Sequence, residues 1–394
     1  MTTSIIPKFE VLFNLQEHSA GTTVTKISPD GSHLLSADQE GTVIIWDLRT
    51  GRSLQRFNLS TSQGISAAIW CPVYPNEPAE AFAIGEATGR VTIYRRLQAT
   101  NYDYASTLEA FTGPVEDIAY DPRHRRLAMA GDGCLKLFGL NGAYTMSFIH
   151  STTPREQIAR STGFYSDGAC VFVCFLEAQH ITCYAINPWA VQFDGDLDTR
   201  IGCAVLREGG ELFVSNLKDG MDVYTFPPRA IPVRNARFHI DRNFPLDVAV
   251  ATSGEFAVIG GEDGHARIYN THLGVMDALL PHGNHDSLIQ HVDVYTAGRR
   301  TIIVTGCADD TDGSLKVWVP VARSRRILGA SEAFRHWASW GLRYACLVIA
   351  VYVATLVVFK WLSRLIVTTL SPTNLPMENI TGVRWRRVAE HILE

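Results

Sequence analysis

The stretch "SPDGSHLLSADQEGTVIIWDLRTG", residues 28–51, holds two short apolar-rich runs, HLLSA and TVIIW, with Glu40-Gly41 between them and Trp46-Asp47 at the close. Both runs have strand length rather than helix length, and the second is rich in β-branched residues. An acid–glycine step between two such runs is the chemistry of a tight hairpin, so the stretch predicts two antiparallel strands.

Working outward, the same pattern recurs. Seven short strands end in an aromatic residue: Trp46, Tyr94, Phe138, Tyr184, Tyr224, Tyr269 and Trp318, at intervals of 48, 44, 46, 40, 45 and 49 residues. Five residues before the aromatic stands glycine in five units: Gly41, Gly89, Gly133, Gly264 and Gly313. Upstream of each glycine lies another strand-like run, such as "AFAIG" or "TIIVTG", and before that a third, such as "VTKISPDG" or "VEDIAYDP". A fixed period of this length marks a repeat architecture built from one supersecondary unit of three or four antiparallel strands.

On these residues the chain resembles the WD-repeat family of β-propellers, most closely in residues 28–51 and in "TDGSLKVWVP". The repeats are degenerate: Trp46-Asp47 is the sole WD pair at these positions, and no Gly-His dipeptide opens a unit. The resemblance implies an all-β, seven-bladed propeller over residues 8–321, with the least regular units between 143 and 235. After "SLKVWVPV" the seventh unit has no chain left for an outer strand. "FEVLFNL", Phe9 to Leu15, precedes the first unit and is expected to supply it, closing the ring and removing an exposed edge.

The longest apolar run lies elsewhere. Tyr344 to Phe359, "YACLVIAVYVATLVVF", has sixteen uncharged residues, too many for a blade strand. Widened to 340–362, the segment carries only Arg343 and Lys360 near its ends and would span roughly 34 Å as a helix, enough to cross a bilayer. Trp337, Trp340 and Trp361 fit an interfacial belt, and the apolarity runs all round, unlike that of a helix docked on a protein surface. The expected order is therefore a propeller at 8–321, a basic linker or helix at 322–339, a single transmembrane helix at 340–362 and a short tail at 363–394.

Basic residues set the expected orientation. Arg323, Arg325, Arg326, Arg335 and Arg343 precede the span, whereas Lys360 and Arg364 follow it closely, which keeps the propeller cytosolic. The tail then enters a lumen, where Asn379-Ile380-Thr381 matches a glycosylation acceptor. Arg384, Arg386 and Arg387 support the alternative, a tail folded back to the cytosol. Asn58-Leu59-Ser60 fits the same acceptor pattern by chance, on the cytosolic side.

Composition agrees with a packed ring plus an appendage: apolar residues are 46% and charged ones 19%. The net charge of -5 conceals a division, because residues 322–394 hold ten basic and four acidic side chains (+6) and residues 1–321 hold 25 and 36 (-11). So acidic a body is a poor electrostatic partner for nucleic acid. Eight cysteines, at 71, 134, 170, 174, 183, 203, 307 and 346, form no CxxC pair and read as buried thiols of a reduced protein. The N-terminal "MTTSIIPKFEVLFNL" has no signal-peptide pattern.

Catalytic signatures are missing from the sequence: there is no GxSxG, HExxH or phosphate-cradling loop, and "GGEDGHARIY" reads as a hairpin turn. His282, His285, Asp286 and His291 form the densest group of metal-ligand types, but fall between units six and seven, where histidine serves inter-strand hydrogen bonding in the resembling propellers. Trp189, Phe193 and the aromatics of "NYDYASTLEAF" are expected on outer strands, as edge packing or a partner surface. No cofactor, metal or small-molecule substrate is expected. The leading expectation is a non-catalytic scaffold for cytosolic protein partners, anchored through residues 340–362 in the endoplasmic reticulum or another internal membrane.

The alternative is a guanine-nucleotide exchange factor, since a cytosolic propeller with one C-terminal span is also the layout of the membrane-bound factors that load the small GTPase of endoplasmic reticulum vesicle export. Exchange in that family depends on a Gly-rich, Lys-containing loop from the first blade. Here "SPDGSH" and "DQEGT" are short and hold no lysine.

Overall fold

The computed structural model describes residues 7–59, 64–74, 77–98, 101–207, 210–227 and 231–321, with residues 356 and 358 beyond them. Seven four-stranded antiparallel sheets make up the ring. Blade one is Thr22–Ile27, His33–Asp38, Thr42–Asp47 and Arg52–Asn58; blade two is Ile65–Cys71, Ala81–Glu86, Arg90–Gln98 and Asn101–Glu109. Blade three is Asp117–Asp121, Arg126–Gly131, Cys134–Leu140 and Met146–Ser151; blade four is Ala159–Tyr165, Cys170–Phe175, His180–Ile186 and Trp189–Asp196. Blade five is Cys203–Arg207, Glu211–Asn216, Gly220–Thr225 and Arg234–Arg237, and blade six is Val248–Val250, Phe256–Ile259, His265–Asn270 and Val275–Pro281. Blade seven joins His291–Ala297, Arg300–Gly306 and Leu315–Pro320 to the N-terminal strand Phe9–Leu15.

That last pairing closes the ring as the sequence implied: Phe9 faces Pro320 and Leu15 faces Leu315, antiparallel, across the two ends of the domain. First strands of successive blades lie side by side around a central channel, and each fourth strand lies on the circumference. Burial follows from this order. A middle strand is covered by neighbouring blades on both faces, so Ala81–Glu86 is buried at every position, whereas the outer Arg52–Asn58 is mostly exposed.

The apolar cores sit at the seams between blades, not inside them. Leu34, Ile44 and Trp46 of blade one meet Ile302, Val304 and Val317 of blade seven, and Leu15 of the closing strand joins them. Equivalent clusters occupy the other six seams. No blade has a core of its own, so each depends on both neighbours.

In five blades the pairing of third and fourth strands slips by one residue at the strand-ending aromatic, as between Ile45 and Trp46 or between Cys183 and Tyr184; in blade seven it slips in the closing strand between Val11 and Phe13, opposite Trp318, and over the paired residues of blade five the register is unbroken. These bulges add twist where the blade turns outward, and no sequence signal announced them. One expectation needs correction. Blade seven's Asp312-Gly313 does not make a tight hairpin, because the connection runs from Cys307 to Ser314 and is braced by an Asp309–Asp312 bridge. Gly313 still fills the repeat position because a side chain there would overlap the Ala20 carbonyl oxygen, as one at Gly89, Gly133 or Gly264 would overlap a carbonyl oxygen of its own neighbouring connection.

The chain divides into two units, Met1–Arg325 and Arg326–Glu394, and the ring lies in the first. The expected linker at 322–339, span at 340–362 and tail with Asn379 lie outside the described residues, apart from Leu356 and Val358, which are helical. Among the described residues no helix is long and apolar enough to cross a membrane.

Candidate functional site

The repeat positions fall into two kinds. Trp46 and Trp318 anchor complete polar relays. Trp46 Nε1 donates to Ser36 Oγ at 2.8 Å, Ser36 Oγ meets His18 Nε2 at 2.7 Å, and His18 Nδ1 meets the Asp38 carboxylate at 2.8 Å. In blade seven Trp318 Nε1 donates to Thr305 Oγ1 at 2.9 Å, and His282 bridges Thr305 and Ser314 at 2.6 and 3.1 Å. Tyr94, Phe138, Tyr224 and Tyr269 fill the corresponding space as buried rings, and Tyr184 is half-buried against Trp189, stacked at 4.9 Å. His18 lacks the preceding glycine that would have marked it, since Glu17 stands there.

The histidine-rich segment separates into three roles. His282 is buried in the relay, and burial lowers its pKa to about 4. His285 is exposed beside Asp286, and His291 Nδ1 meets the Asp247 carboxylate at 2.9 Å in the channel. Among the described residues no cluster of His, Cys, Asp or Glu could hold a metal. Trp189 stacks on His150 of the neighbouring blade at 4.6 Å, and Phe193 packs into the seam core of blades four and five. The seven cysteines among the described residues are free thiols.

The channel encloses about 380 Å³ and collects charge that sequence order scatters: Lys26, Glu116, Asp117, Arg160, Asp247, His291 and Asp293. These groups hold the seams. Asp293 Oδ2 accepts from the Ile27 N–H at 2.6 Å, Asp117 Oδ2 from the Thr162 N–H at 2.9 Å, and Arg160 Nη1 donates to Glu116 at 2.8 Å. Burial opposes the Lys26 ammonium, yet Asp293, Asp117 and Asp247 outweigh it and raise its pKa. Burial also pushes the Asp117 and Asp293 carboxyls up, with Lys26 only partly offsetting it. Asp247 moves the other way: burial is overcome by His291, Lys26 and Arg160, and its pKa falls.

At one end the channel opens into a groove of about 1160 Å³, walled by the turns between first and second strands of blades three, four and five and by neighbouring loops. Tyr74, Tyr120, Phe164, Tyr165 and Phe226 supply aromatic surface, Pro122 and Pro227 stiffen its edges, and Arg123 and Arg207 bring charge. Tyr74 is 63% exposed, and Phe226 meets Tyr165 edge-on at 4.8 Å. One exposed and four half-buried aromatics together with arginine make the composition of a protein-binding patch. None of these residues belongs to the repeat signature, so periodicity could not point to them.

Comparison with known proteins supports the repeat. The family model "WD domain, G-beta repeat" matches residues 9–47, which are the closing strand and the first three strands of blade one. The chain is also similar to "Protein groucho" of Drosophila melanogaster, 32% identical over 87 residues, which is 22% of this chain and 11% of that protein. The fold is thus a seven-bladed propeller carrying a WD repeat.

Proposed function

We propose that this chain is a non-catalytic scaffold: a cytosolic propeller that binds protein partners and is held at the endoplasmic reticulum or another internal membrane by residues 340–362. The observation that carries the binding role is the aromatic, arginine-bearing groove at the channel mouth. The anchor rests on sequence, because 23 residues with only two terminal basic charges are most stable in hydrocarbon.

Two experiments test the two halves. Alkaline carbonate should leave the chain in the membrane pellet and detergent should release it; release by carbonate alone rejects an integral anchor. Proximity labelling from the N-terminus should report a partner set that Tyr74→Ala with Arg123→Glu depletes, while the ring still melts at the wild-type temperature. An unchanged set rejects the groove as the binding surface. The exchange-factor alternative gains nothing from the first blade, whose connections after Ile27 and Asp38 are five and three residues long.

A further inference from the structure

At the Arg207 end of the groove, three side chains with buried donor atoms gather near one carboxylate at the seam of blades five and six. Arg207, at the end of blade five's first strand, donates from Nη1 to Glu211 Oε2 at 2.8 Å. Arg234, at the start of that blade's outer strand, donates from Nη2 to Glu211 Oε1. Tyr269, from the third strand of blade six, is fully buried with its hydroxyl in the field of the same Arg234 and Glu211. The single carboxylate does not satisfy them: Arg207 Nε, Arg234 Nε and Tyr269 Oη are all buried and have no partner.

Two features make this more than a loose surface cluster. First, charge does not balance, since two guanidinium groups share one carboxylate and all three side chains are mostly withdrawn from water. Buried donors without acceptors cost about 1–3 kcal/mol each, more when charged, and such a cost persists in a folded protein only where something returns it. Second, the backbone makes room. Gly254, in the first turn of blade six, has φ +71° and lies against the Arg207 guanidinium, which a Cβ would overlap. The glycine thus lets Arg207 reach across the seam toward blade six.

We propose that this seam is a binding site for a phosphate-class oxyanion, its oxygens accepting from Arg207 Nε, Arg234 Nε and Tyr269 Oη. Water could satisfy the donors but not the excess positive charge, whereas an oxyanion does both. Arginine suits this ligand because its planar fork presents Nε and Nη donors in parallel. The site opens to the groove through Arg207, so the anion arrives either free or carried on a peptide lying along the groove. Neither the site nor its test depends on the membrane anchor or on the partner reading.

The test uses the full chain in detergent, with its melting temperature followed against sodium phosphate and against sodium chloride at matched ionic strength. Phosphate should raise the melting temperature saturably at millimolar concentration. Arg207→Gln and Arg234→Gln should each raise the half-saturating concentration at least tenfold. Tyr269→Phe, which removes only an unpartnered hydroxyl and leaves the ring packed, should fold as the wild type does and bind phosphate severalfold more weakly. Equal effects of phosphate and chloride, or a Tyr269→Phe chain that binds phosphate as the wild type does, overturns the site. The two sources separate with a phosphoserine hexapeptide: tighter binding than inorganic phosphate, lost in Arg123→Gln, marks a peptide-borne anion, and equal affinity marks the free one.

Discussion

Ser36 illustrates how much one small side chain carries in this ring. Its hydroxyl holds both Trp46 Nε1 and His18 Nε2, and all three groups are buried. Ser36→Ala removes hardly any volume but leaves two buried polar groups without a partner, so unfolding in urea should show a loss of about 2–4 kcal/mol. The relay in blade seven adds a pH dependence. His282 has its pKa lowered from 6.5 to about 4, because burial disfavours the imidazolium. The unfolded chain therefore binds the proton first. The stability from a neutral His282 is complete above pH 6.5, falls as pH drops toward 4, and is level below that. The full loss from this group is about 3 kcal/mol. His282→Gln should flatten that part of the curve of urea midpoint against pH; an unchanged slope would show that other groups set it.

At the scale of strands, closure by the N-terminal segment is the most consequential pairing. Phe9–Leu15 gives Leu15 and Phe13 to the core between blades seven and one, and Phe9 packs on the core between blades six and seven. Deleting residues 1–16 strips two seams and bares the edge of Leu315–Pro320, so the melting temperature should fall sharply and association through the bare edge should rise. A synthetic peptide spanning residues 7–17 should restore both; failure of the peptide to shift the melting temperature would mean that the ring closes without it. Turns admit a sharper comparison. Gly264 has φ +75° and its Cβ would overlap the Asn284 carbonyl oxygen, whereas Gly142 has open space around it. Gly264→Ala should cost about 2 kcal/mol or more and Gly142→Ala should stay within about 0.5 kcal/mol, read by the same urea titration.

These elements also show what the sequence made legible. Period, strand-ending aromatics and the closing strand could be read directly because they are local or regularly spaced. The relay histidine at 18 and the bulges beside the aromatics could not, since they rest on contacts between strands of one blade that no local motif marks, and the channel charges could not, since they come together from different blades. Lys26 meets Asp117, Asp247 and Asp293 over separations that carry no pattern. The seam of Arg207, Glu211, Arg234 and Tyr269 was hidden for the same reason: Tyr269 is a repeat aromatic, and nothing in the repeat says that its hydroxyl ends in the field of Arg234 and Glu211.

For the ring as a whole, strand alternation sorts charge onto two faces. Connections from second to third strand, and from one blade to the next, lie on one face and contain, among the described residues, sixteen acidic against four basic residues; those on the groove face contain five against four. Most of the acidity of residues 1–321 is thus crowded onto one side, at separations comparable with the Debye length of about 10 Å at 0.1 M salt. Such a face repels itself, and raising sodium chloride from 10 to 150 mM should stabilise the ring by screening that repulsion, by roughly 1 kcal/mol. Replacing exposed Glu177 by Gln and Asp286 and Asp310 by Asn should raise the melting temperature at low salt and shrink its rise with salt. The same substitutions on the groove face, at Glu77, Asp167 and Glu255, should do neither, because positive charges there already balance the acids. If both sets respond alike, net charge alone governs the effect and the division between faces has no energetic consequence.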